Sequence, residues 1–90
     1  MSKYNEILEL KDYCDEIGVI AKLVTCHDGF AIVFNCDGDV VQHEYSYGAN
    51  SGKVEFAIGI TNMDYTPIPL DVAKNNIKRL KNYLNAGAKV

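Results

Sequence analysis

The sequence predicts an α+β domain in two layers, running α-β-β-β-β-α, with a four-stranded antiparallel meander and both helices on one face of it. Three observations carry this. Apolar residues recur at helical spacing near both ends of the chain, over 3–17 and from Leu70 to Leu84. Between them lie four runs rich in β-branched and aromatic residues, at about 19–26, 30–36, 40–47 and 54–60. The first two gaps hold Asp28-Gly29 and Asp37-Gly38, a dipeptide that strongly favours a two-residue hairpin turn.

The first helix places Ile7, Leu10, Cys14 and Ile17 on one stripe and Glu9, Asp12, Asp15 and Glu16 on the other side. Ser2 can cap its start, and Gly18 suits the position just past its end.

Turns and side-chain alternation together set a register for the strands. A tight turn at Asp28-Gly29 pairs Leu23 with Phe34. One at Asp37-Gly38 pairs Phe34 with Val41, Ile32 with His43 and Phe30 with Tyr45. Closing the third hairpin through 48–53 puts Tyr47 by Val54, Tyr45 by Phe56 and His43 by Ile58. Residues directly opposite share a face. The inner face thus collects Leu23, Phe30, Ile32, Phe34, Val41, His43, Tyr45, Tyr47, Val54 and Phe56. The outer face takes Ile20, Val24, Cys26, Ala31, Val33 and Val40 with the more polar Lys22, Asn35, Gln42, Glu44, Ser46 and Glu55.

Residues 61–69 read as a connector. Pro69 suits the first turn of the last helix. Leu70, Ala73, Ile77, Leu80 and Leu84 form that helix's apolar stripe, and Gly87 ends it.

The 90 residues fit one domain, 1–90, of ordinary apolar and charged content. No run reaches the ~18 apolar residues of a membrane span, and the start lacks a signal-peptide core. The expected location is therefore cytoplasmic. An odd cysteine count, three, fits reduced thiols. Charge is uneven: residues 1–69 carry −7 and residues 70–90 carry +4, giving the net −3.

Three groups of residues are candidates for function. The first is the apolar part of the outer face, Ile20, Val24, Cys26, Ala31 and Val33, an interface for a protein partner or a second copy of the chain. The second is Lys74, Lys78 and Lys81, one row on a flank of the last helix, which could contact nucleic-acid phosphates. Against it stand the negative net charge and an acidic first helix on the same side of the sheet. The third is His43 with Tyr45 and Tyr47 as a ligand or acid/base site on the inner face; no orienting carboxylate accompanies them there, and the thiol of Cys36 stands at the strand end.

A metal site is not expected. The cysteines lack the close pairing of zinc motifs, and the register puts Cys26 on the outer face and Cys36 on the inner one, so these two cannot converge on one ion. The Gly48–Lys53 stretch lacks the spacing and following helix of a phosphate loop, and no cofactor is implied. The expectation is a non-catalytic binding protein, accessory or inhibitor in type, acting through a protein surface and self-associating.

Overall fold

The computed structural model describes residues 4–35, 38–44, 46, 48–57 and 67–86. The elements are α1 (Asn5–Ile17), β1 (Ala21–Cys26), β2 (Gly29–Phe34), β3 (Asp39–Gln42), a 3-10 turn (Ala49–Ser51), β4 (Lys53–Ala57), β5 (Pro67–Pro69), α2 (Leu70–Arg79) and α3 (Lys81–Leu84). One antiparallel sheet takes the order β1-β2-β3-β4-β5. Helices α1 and α2 pack against each other and against the sheet. The α+β class and the helical layer are as the sequence predicts, with a fifth strand added.

Helix α1 buries Ile7, Leu10 and Cys14, with Ile17 partly buried at the same core. Gly18 ends it at φ 83; its N–H bonds Asp15 O at 3.4 Å and the Val19 N–H bonds Cys14 O at 2.8 Å, a Schellman closure. The start differs from expectation. Ser2 lies outside the described residues, and Tyr4 at the N-cap makes no side-chain cap bond. The acceptor comes from across the fold instead, as Gln42 Oε1 takes the Ile7 N–H at 3.0 Å.

The first hairpin turns one residue earlier than predicted. Cys26 pairs with Gly29, so His27 and Asp28 form the turn, and Leu23 pairs with Ile32 rather than Phe34. His27 adopts the left-handed region, φ 55, which costs a non-glycine residue about 1–2 kcal/mol. Gly29 is needed for a different purpose. A Cβ there would overlap the Gln42 carbonyl oxygen and lie 2.8 Å from His43 Cα. The missing side chain lets β2 close onto the end of β3. The register slip is two residues, an even number, so the faces of β1 and β2 are preserved.

The second hairpin slips by an odd number, which turns β3 over. The Phe34 N–H bonds Gly38 O at 2.9 Å, and Ile32 pairs with Val40, not His43. Three residues link the bonded pair Phe34 and Gly38, where the prediction had a two-residue turn at Asp37-Gly38. Val40 and Gln42 therefore face the core, each 0% exposed, and Val41 faces outward. Strand β3 stops at Gln42. The next residues fold on themselves, with the His43 N–H bonding Ser46 Oγ and the Ser46 N–H bonding His43 O, both at 3.0 Å. The longer connection produces a second odd slip, pairing Val40 with Phe56, and so returns Val54 and Phe56 to the inner face as predicted.

Gln42 is the polar centre of this core. Besides accepting from Ile7, its Nε2 donates to Glu6 Oε1 at 3.0 Å and to Ala49 O at 3.1 Å. One side chain thus caps α1 and fixes the 3-10 turn, with its buried donors and acceptor satisfied.

Strand β5 lies within the predicted connector. Ile68, buried, pairs with Val54, and the flanking prolines pair with Glu55 and Lys53. Prolines lack N–H donors and belong on an edge. Pro69 then takes the N-cap position of α2, one place earlier than predicted. The apolar stripe buries Ala73, Ile77 and Leu84, but the helix is interrupted at Leu80, so α3 is a separate short turn. Gly87 lies outside the described residues.

Candidate functional site

The outer sheet face follows from the strand alternation. One row crosses all five strands: Val24, Ala31, Val41, Glu55 and Pro67. The next row runs Lys22, Val33, Asp39 and Ala57. Ile20, Val24 and Val33 stand out from this surface, 48%, 37% and 40% exposed. With Lys22 and Asn35 they surround a depression of about 380 Å³. Ala31, expected in the exposed patch, is only 5% exposed. Its cross-strand neighbours are Val24 and Val41. Cys26 is half-buried at the end of β1. The overturned β3 puts Val41 on this face, beside Ala31, in place of the expected Val40 and Gln42, which lie in the core.

Two charged groups mark the polar side of the face. Desolvation raises the Asp39 carboxyl above its ordinary range. Glu55 is buried, and its Oε2 has no hydrogen-bond partner among the described residues.

The sheet edges differ. Among the described residues no strand lies beyond β1, whose alternate N–H and C=O groups turn away from β2. Just before β1, the Ile20 N–H is held by Asn85 Oδ1 at 2.8 Å, and Asn85 Nδ2 bonds Gly18 O at 3.0 Å. The far edge is the proline-flanked β5.

The lysine row is not presented as a free basic strip. Lys74 Nζ pairs with Glu9 Oε2 of α1 at 2.8 Å and lies 5.5 Å from the Tyr13 ring centroid. The Glu9 hydrogen bond raises the Lys74 ammonium above its usual value. Lys78 and Lys81 are exposed. A groove of about 410 Å³ between the helices is lined by Tyr13, Asp71, Lys74 and Lys78, mixing both signs of charge. Asp15, another possible partner on α1, is engaged by Lys11 at 2.6 Å.

His43 does not occupy the inner face. It follows β3 in a turn, and its ring lies 4.7 Å from that of His27 at an interplanar angle of 60°. Tyr45 and Tyr47 lie outside the described residues. Cys26 joins the two histidines: one donor atom from each of the three lies within 4.8 Å of the others. The inversion of β3 thus takes His43 from its expected inner-face position to the side of Cys26, while Cys36 lies outside the described residues. Sequence spacing offered only the adjacent Cys26-His27; the third member needed the correct register. Cys14 is a different kind of thiol, with burial pushing it up to about 11.

No described helix is long and apolar enough to cross a membrane. Compared with protein families, curated proteins and solved structures, the chain finds no match in any of the three.

Proposed function

We propose that this chain is a non-catalytic interaction protein, accessory or inhibitor in type, that self-associates through β1 and the adjoining outer face. The observation that carries it is the coincidence of the exposed trio Ile20, Val24 and Val33 with the strand edge that no described strand covers. Exposed apolar side chains gain by leaving water, and an open edge supplies directional hydrogen bonds. A second copy offers both features to the first, so a two-fold axis beside β1 matches like with like. Lys22 beside Val33 and Asp39 across from it give the contact a polar rim with both signs of charge.

Nucleic-acid binding has less support. Lys74 is neutralised by Glu9, and the neighbouring acidic face of α1 repels phosphate. Replacing Lys78 and Lys81 by glutamate is expected to leave self-association unchanged. Replacing Val24 by lysine is expected to abolish it. Sedimentation velocity across a concentration series checks both; a strict monomer at the highest concentrations would defeat the self-association reading.

A further inference from the structure

We propose that Cys26, His27 and His43 form a binding site for a zinc-class cation, a divalent late transition metal. The chain has two histidines, and the fold brings both to the same thiol although they are sixteen positions apart in sequence. A thiolate with two imidazoles suits zinc and its neighbours and is a poor set for magnesium or calcium, which take oxygen donors. In a tetrahedral zinc site, bond lengths of about 2.0–2.3 Å put donor atoms roughly 3.3–3.7 Å apart. The three donors already lie within 4.8 Å of one another, so rotations that move them by about an ångström close the set. The two rings are tilted at 60° rather than stacked face to face, which lets both direct a nitrogen at one point.

The frame behind these donors is firmly built. Cys26 closes the β1–β2 hairpin by pairing with Gly29. His27 is held in the left-handed region, φ 55. Gly29 has no Cβ to push His43 away. Asp28 Oδ1 accepts the Glu44 N–H at 2.7 Å, fastening the turn to the chain just after His43. Asp28 Oδ2 accepts from the buried Tyr4 hydroxyl at 3.1 Å, anchoring the turn to the core. Outer contacts of this kind orient metal ligands and sustain affinity. Three protein donors leave the fourth position of a tetrahedral ion to water or an added small ligand. The ion would tie the β1–β2 turn to the exit of β3.

The test uses the reduced, chelator-treated full chain with Cys36→Ser, so that Cys14 and Cys26 are the remaining thiols. Cobalt(II) is added as a coloured substitute and then displaced with zinc. The expected result is one equivalent bound per chain, a thiolate-to-cobalt charge-transfer band, and loss of that band on adding zinc. Cys26→Ser should remove the band. His27→Asn, which tolerates the left-handed backbone, and His43→Gln should each weaken binding by about 10- to 100-fold or more. Circular dichroism checks that each variant stays folded. Zinc-induced shifts of both imidazole NMR signals supply a readout that needs no histidine or Cys26 substitution. The proposal is overturned by the absence of cobalt and zinc binding, by a charge-transfer band that survives Cys26→Ser in a folded chain, or by zinc shifts confined to one imidazole.

Discussion

The two faces of the sheet are built from the same strands and treated in opposite ways. The inner face carries Ile32, Phe34, Val40, Val54 and Phe56, nearly all shut from water under α1 and α2. Its polar member, Gln42, is bonded on both sides of its amide. The outer face carries exposed valines and an isoleucine, a desolvated aspartate and a buried glutamate oxygen without a partner among the described residues. The inner face is satisfied within one chain. Among the described residues the outer face leaves apolar side chains in water and one buried oxygen unbonded.

Substitutions should separate the two faces by size of effect. Phe56→Ala removes a fully buried ring and is expected to destabilise the fold by about 3–5 kcal/mol in urea unfolding. Gln42→Leu strands the Ile7 N–H and the Ala49 carbonyl and is expected to cost about 1–3 kcal/mol. A loss comparable to Phe56→Ala would place Gln42 deeper in the folding energetics than its bonds imply. Val24→Lys, by contrast, should shift monomer stability by no more than about 0.5 kcal/mol while removing self-association.

Asp39 provides the smallest effect and a sign to check. Its folded carboxyl titrates above the ordinary value because burial disfavours the charge. Native protein therefore holds this proton more tightly than unfolded chain does. The associated stabilisation is complete below the ordinary carboxylate pKa and is lost as pH rises through the raised one. Asp39→Asn is expected to raise the thermal midpoint at neutral pH, with the gain vanishing in acid. A gain of the same size at both pH values would remove desolvation as its cause.

Much of the fold was legible because local physics dictated it. The α1 stripe, the Gly18 closure and the core side of α2 follow from side-chain spacing and one backbone requirement. The first hairpin kept its faces despite a misplaced turn because the slip was even. The second was read wrongly because Asp37-Gly38 favours a two-residue turn, whereas the bonded pair Phe34 and Gly38 is linked by three residues. That one-residue difference in loop length inverted β3, took His43 out of the predicted inner site and put Gln42 into the core. Strand β5 was hidden by its prolines, which argue against pairing except at an edge. The cluster of Cys26, His27 and His43 depends on the close approach at Gly29, a long-range contact that spacing does not encode.

In the proposed assembly a second copy of the chain completes the outer face, centred on Val24 and the β1 edge. Sedimentation velocity of the unsubstituted protein and of Val24→Lys, over the same concentrations, tests it most directly. A concentration-dependent species heavier than the monomer is expected for the former and a folded monomer throughout for the latter. Identical sedimentation of the two folded proteins would contradict it.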